Sequence, residues 1–178
     1  MPSVLQLSRR LDCQPEIASI DGITIRTYQS DADIAPWLEL RHQAFARQRI
    51  GVRQWSPPDF FAEFVNCWWW SPQHMWLAET LGHSVPGTDS TPNQRQLIGA
   101  VTLSLRGTPD QSQAARPAVH WLVVHPRWRR RGIGKLLMMH LEAAAWNAGH
   151  REIFLETHAA WEDAVQFYQT LGYRPVQS

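Results

Sequence analysis

The stretch from His120 to Lys135, HWLVVHPRWRRRGIGK, leaves little freedom for what this chain can become. Trp121 to Val124 is a short apolar, partly β-branched run suited to a strand, and Pro126 cannot donate to a sheet ladder, so the strand ends there. From Ile133 onward the apolar residues take up helical spacing. A basic, glycine-bearing turn therefore joins a strand directly to a helix start. The first N–H groups of a helix have no partner within it, and the macrodipole adds partial positive charge at that end, so the turn favours an anion. Gly132 and Gly134, lacking Cβ, reach positive φ freely and leave room for a bulky diphosphate against the main chain. Taken alone, Arg127, Arg129, Arg130 and Arg131 read as a solvated basic patch or a nucleic-acid contact. Their place at a strand-to-helix turn, beside two glycines spaced by one residue, favours a phosphate cradle instead.

The flanking sequence narrows the fold. Residues 1–20 show no clear period before the Asp21-Gly22 turn, so they read as an extension, with the domain proper over 21–178. Ile23 to Tyr28 alternates as a half-buried strand. Ser30-Asp31 caps a helix whose apolar face carries Ile34, Trp37, Leu38, His42 and Phe45. Arg47 to Trp55 reads as a loop, and Ser56-Pro57-Pro58-Asp59 starts a short helix through Phe60, Phe61, Phe64 and Val65. Met75 to Thr80, Leu97 to Leu105 and Pro117 to His125 are the next strands, joined by polar connections at Gly82–Gln94 and Gly107–Ala115. After the glycine turn, a helix marked by Leu137, Leu141, Ala144 and Ala148 ends at Gly149. Ile153, Leu155 and Thr157 then form a fifth strand, parallel to the fourth because a helical crossover separates them. A last helix carries Ala164, Phe167, Tyr168 and Leu171, closed by Gly172, with a closing strand within Tyr173 to Val176. The fold class is α/β of the α+β type, with a mixed, largely antiparallel sheet. Antiparallel strands ahead of the turn exclude an all-parallel dinucleotide fold, and the missing lysine-serine/threonine ending excludes a P-loop.

At 178 residues and 44% hydrophobic, the chain suits one domain with one core. A net charge of +1, from 17 basic and 16 acidic residues, provides no global field for nucleic acid or anionic lipid. Cys13 and Cys67 stand alone and the histidines form no HExxH pair, which argues against a disulfide framework or a metal site. No run has the length of a signal core or a bilayer span, so a cytoplasmic protein is expected.

Arg129-x-x-Gly132-x-Gly134, with Val124-His125-Pro126 before it and Phe167-Tyr168-x-x-Leu171-Gly172-Tyr173 after it, resembles the signature of the GCN5-related N-acetyltransferases. The resemblance spans residues 23 to 176 in element order and is specific from 119 to 173. It implies a sheet whose fourth and fifth strands splay apart, with helices on both faces and the pantetheine arm of acetyl-CoA in the gap. The implied cofactor-binding residues are Leu122, Val123 and Val124 on the strand and Arg129, Arg130, Arg131, Gly132, Ile133, Gly134 and Lys135 on the turn. Acetyl-CoA is the implied co-substrate, with no metal, and the implied reaction is direct acetyl transfer to a small-molecule or peptide amine in a ternary complex. Tyr168 matches the tyrosine that protonates the leaving thiolate in many members. Val124 N–H matches the donor that polarises the acyl oxygen. The base that deprotonates the amine stays open among Glu79, His120, Glu156 and a water chain. Many members carry an asparagine where this chain has Trp161, so that contact is not carried over. The acceptor site usually lies under the first two helices, where aromatic walls between Arg47 and Phe61 suggest a hydrophobic or aromatic amine. Exposed strand edges admit a homodimer. The competing reading is a non-catalytic acyl-CoA-binding sensor or interaction module.

Overall fold

The computed structural model describes residues 4–46, 53–81, 95–108 and 115–176. The connection at Gly82–Gln94 and most of the segments expected as loops at Arg47–Trp55 and Gly107–Ala115 lie outside the described residues. The strands are β1 (Val4–Arg10), β2 (Ile23–Thr27), β3 (Met75–Leu81), β4 (Arg95–Arg106), β5 (Arg116–Val124), β6 (Glu152–His158) and β7 (Arg174–Pro175). The helices are α1 (Ile34–Phe45), α2 (Pro57–Phe60), which continues as a π-helical turn over Phe61–Val65, α3 (Ile133–Asn147) and α4 (Glu162–Thr170).

All seven strands join one sheet in the order β2-β3-β4-β5-β6-β1-β7. β2 through β5 pair antiparallel in chain order, whereas β6 runs parallel to β5 because α3 carries the chain back across the sheet. The expected mixed sheet with one parallel pair is thus present; the strands expected as fourth and fifth are β5 and β6. One element is added. The segment read from the sequence as an extension contains β1, which pairs antiparallel with β6 over Val4–Arg10 and with β7 at Leu7 and Ser8. Its alternation is too short to announce a strand, since among its residues Leu7 alone is fully buried. From Leu11, whose N–H donates to Arg151 C=O at 2.8 Å, the chain runs back along α3. Gln14 meets Asn147 there, and Ile20 comes to rest against Gly132 at the start of that helix.

The sheet has a core on each face. Under α3 and α4, Leu7, Ile98, Val101, Val119, Leu137, Leu141, Leu155 and Tyr173 pack together. Under α1 and α2, Trp37, Leu40, Phe60, Phe64, Met75, Leu77 and Val123 do so. α1 buries Ile34, Trp37, Leu40, Arg41 and Ala44, a face turned from the expected one, with Leu38 and Phe45 at its margin. Burying an arginine in that stripe is the feature that apolar periodicity does not foresee. In α3 the unexpected buried group is Glu142, held by two bonds of 2.8 and 2.7 Å from Arg9 of β1 and by the Tyr173 hydroxyl at 3.1 Å.

Candidate active site

Among the described residues β5 and β6 share a ladder position at Ala118 opposite Phe154, near the beginning of β5, and the strands part beyond it. A bulge sits in β5 where they part. Ala100 of β4 faces Val123 and Thr102 faces His120, so Trp121 and Leu122 together oppose the single Val101. Trp121 takes a left-handed φ of 50°. An extra residue interrupts the alternation of side chains, so neighbours can share a face. His120 and Trp121 both turn towards α1 and α2, while Leu122 and Val124 pack on the α3 side. The backbone follows the same logic. His125 N–H donates to Ile98 C=O at 2.8 Å, which commits residue 125, and by alternation Val123, to β4. Leu122 and Val124 then direct their backbone groups to the gap.

At the mouth of that gap lies the turn. Arg130 has φ 63° and Gly132, the residue that caps α3, has φ 83°. The first helical bond runs from Leu136 N–H to Gly132 C=O, which leaves the N–H groups ahead of Leu136 outside the helical ladder. A Cβ on Gly134 would come 3.1 Å from Phe167 Cζ, so glycine here lets α4 close on the first turn of α3. Arg130, Gly132 and Lys135 are exposed, Ile133 is core, and Arg131 lies over the Trp128 ring at 4.9 Å. Arg129, though exposed, turns its guanidinium back onto the main chain. Its Nη2 donates to Ala44 C=O at 2.6 Å and its Nε to Val124 C=O at 3.2 Å, tying the end of α1 to the end of β5.

Tyr168 is buried on α4 against Phe167 and Tyr173, and its hydroxyl makes no hydrogen bond among the described residues. Burial pushes its pKa well above that of an ordinary phenol.

The candidate bases separate clearly. Glu79 is committed to Arg26, at 2.8 Å, and to Arg95 at 3.5 Å. Glu156 is exposed and engaged with Gln6 and Arg106. His120 is half-buried on the bulge, its Nε2 3.0 Å from Glu63 Oε1, with an angle short of a good hydrogen bond. Glu63, on the π-helical turn, also accepts a 2.8 Å bond from Trp121 Nε1. Chiefly the His120 contact, and then the Trp121 bond, hold its carboxyl below the usual range against the effect of burial. Sequence reasoning misses Glu63 because it sits in a segment read for its phenylalanines. Its isolation as the one acid in that apolar turn is the signal available.

An aromatic wall extends from this pair. Trp121 packs edge-on against Trp55 at 5.0 Å and Phe45 at 5.9 Å, and Phe45 meets Trp161 at 5.6 Å beside His158. Trp161 Nε1 and His158 Nε2 are enclosed without hydrogen-bond partners among the described residues. Trp161 thus belongs to the side of the gap facing α1. Among the described residues no group of three or more histidine, cysteine or acidic residues could hold a metal ion, and no helix is long and apolar enough to cross a membrane.

Comparison with known proteins agrees with this architecture. A GCN5-related N-acetyltransferase from Sphaerobacter thermophilus superimposes with a TM-score of 0.68 at 20% identity, covering 99% of this chain; this chain spans 50% of that one. Aminoglycoside N-acetyltransferase AAC(6')-Iy in complex with CoA gives 0.61 at 18% identity, over 88% of this chain and 90% of that one. Arabidopsis thaliana Naa50 in complex with a bisubstrate analogue gives 0.58 at 18% identity, over 88% and 85%. At these identities the likeness is one of fold. No curated protein matches the chain. The sequence profile of the Acetyltransferase (GNAT) family, however, matches residues 37–173, from α1 through the turn to Tyr173, and the chain belongs to that family.

Proposed function

We propose that this protein transfers an acetyl group from acetyl-CoA directly to an amine, both held at once between β5 and β6. The bulge at Trp121 is the observation that carries this reading, because it serves both halves of such a reaction. It turns the backbone of Leu122 and Val124 to the gap, and it brings His120 round to Glu63.

Bound acetyl-CoA supplies the activated acetyl group. Leu122 and Val124 line its arm, and Val123, buried under α1 and α2, holds the strand on β4. The N–H groups from Arg130 to Lys135, with Arg130, Arg131 and Lys135 charges nearby, receive its phosphates. Gly132 supplies the left-handed turn of that cradle, Gly134 lets Phe167 close against it, and Ile133 and Arg129 anchor it, the latter through the carbonyls of Ala44 and Val124. An alkylammonium, with a pKa of about 10, is almost wholly charged at neutral pH and cannot attack an acyl carbon. His120 takes that proton, and the ionised Glu63 beside it steadies the imidazolium. Val124 N–H polarises the acyl oxygen. Tyr168, kept protonated by burial, gives its proton to the departing sulfur. Neither cysteine offers a nucleophile: Cys13 is exposed near β1, and Cys67 is kept as a thiol by burial, its Sγ 3.3 Å from Glu63 C=O.

Purified protein, acetyl-CoA and a broad amine panel, read by release of free thiol, test the proposal. Thiol release that depends on amine and is lost in His120→Gln is the expected result. Tight binding of acetyl-CoA with no thiol released from any amine would overturn it in favour of the binding-module reading.

A further inference from the structure

Arg41 of α1 is 3% exposed, yet it has no carboxylate partner among the described residues. Its guanidinium lies 3.8 Å from the centre of the Trp55 ring and 4.7 Å from that of Trp121, a cation lodged in the corner of two indole rings set at 73° to each other. Nη1 donates to Arg53 C=O at 3.1 Å, Nε is enclosed and unbonded, and Nη2 makes no hydrogen bond among the described residues. The nearby carboxylates are taken. Glu63 serves His120 and Trp121, and Asp59 serves Arg53 and the Ser56 cap, so both act on Arg41 only at a distance. Removal from water lowers its pKa to about 10, the mark of a charge that nothing adjacent compensates. A guanidinium buried for structure alone normally has a carboxylate in contact, because an unpaired buried charge is costly.

Nη2, neither bonded nor enclosed among the described residues, is the end of the guanidinium that a carboxylate oxygen can meet in a charge-assisted hydrogen bond. Arg41 also adjoins the Glu63–His120 pair through Trp121, on the face of the sheet opposite α3 and its phosphate cradle. An anion reaching it therefore belongs to the acceptor side.

We propose that the acceptor is an amine that also carries a carboxylate, a free amino acid or a molecule built like one, and that Arg41 binds the carboxylate while His120 receives the proton of the amine. The wall of Trp55, Trp121, Phe45 and Trp161 then packs on the apolar part of that molecule. The identity of the ligand as acceptor rests on the transferase reading above; the anion site itself does not.

The test uses matched pairs, phenylalanine against phenethylamine and leucine against 3-methylbutylamine, with thiol release as readout. The acids are expected to exceed their decarboxylated twins in kcat/KM by on the order of 100-fold, and Arg41→Met to bring that ratio close to one. Arg41→Lys, which keeps the charge but loses the planar guanidinium and its stacking, is expected to fall in between. Calorimetric titration with 3-phenylpropanoate, which has a carboxylate and no amine, reads the site without turnover; binding to the wild type and loss in Arg41→Met support it. The wild-type comparison needs no variant, so misfolding of Arg41→Met does not obscure the result. Equal or better turnover of the decarboxylated twins, or failure of 3-phenylpropanoate to bind, overturns the proposal. If no amine releases thiol while 3-phenylpropanoate binds through Arg41, the transferase reading falls and the anion site stands.

Discussion

Replacing Arg9 by methionine tests how firmly β1 belongs to the domain. Arg9 reaches from β1 to Glu142, which lies 2% exposed in α3 and also accepts the Tyr173 hydroxyl. Removing one partner of a buried pair leaves the other charge uncompensated, at a cost of about 3–5 kcal/mol. The Arg9 side chain is one-third exposed, so water softens the loss and the lower end, about 3 kcal/mol, is expected. For a chain of this length that is a fall in Tm of roughly 6–12 °C. The pH dependence has a definite sign. Burial raises the Glu142 pKa above the ordinary carboxylate value, opposed by Arg9 and the Tyr173 bond. A folded-state pKa above the unfolded one means that the folded protein binds the proton more tightly. This group therefore favours folding below about pH 4.3 and works against it as pH rises through the folded pKa. Without Arg9 that opposition strengthens, so the deficit of Arg9→Met is largest at pH 7.5 and shrinks towards pH 5. Scanning fluorimetry and urea unfolding at both pH values measure it, and adding Glu142→Gln to the variant should recover most of the loss. A Tm change under about 2 °C at pH 7.5, or a deficit that grows on acidification, would falsify the docking of β1 through this pair.

Three further perturbations address the catalytic half. Tyr168→Phe removes a hydroxyl that has no partner among the described residues, so stability is expected to stay within about 0.5 kcal/mol while kcat falls on the order of 100-fold; a normal kcat would remove Tyr168 from the mechanism. Gly134→Val pushes a branched side chain towards Phe167 Cζ, 3.1 Å from where its Cβ would stand. It should cost about 1–3 kcal/mol of stability and weaken acetyl-CoA binding, measured by urea unfolding and calorimetry. Glu63→Gln should lower kcat/KM about 10-fold, and combining it with His120→Gln should add almost nothing to the loss from His120→Gln alone. Additive losses would show that the two residues act independently.

The turn from Val124 to Lys135 is legible in sequence because each of its constraints is local: a proline that ends a strand, two glycines, and helical spacing from Ile133. The parallel β5–β6 pair follows almost as directly, since α3 separates the strands. β1 is hidden because its partners in β6 lie more than 140 positions away and only Leu7 is fully buried. The tryptophans, ten in all, are ambiguous for a similar reason: Trp37 is pure core, Trp68 is 47% exposed, and Trp55 and Trp121 clasp a cation, with nothing in their neighbours to tell these roles apart.

The acceptor side of the site is illegible for a deeper reason. In a regular strand His120 and Trp121 must point to opposite faces, so no argument from alternation can bring both to Glu63. One extra residue in β5 does so, and it holds Trp121 at a φ that costs a residue with a side chain about 1–2 kcal/mol. That strain is retained by the Glu63 bond, by Phe45 and Trp55, and by the Arg41 guanidinium on the indole face. Remove the bulge and the consequences are linked. Trp121 leaves Glu63 and Arg41 together, and the backbone of Leu122 and Val124 returns to the β4 register. The groups assigned here to the acyl donor, the proton and the acceptor anion thus depend on a single irregularity, so substitutions at Trp121 should disturb all three together.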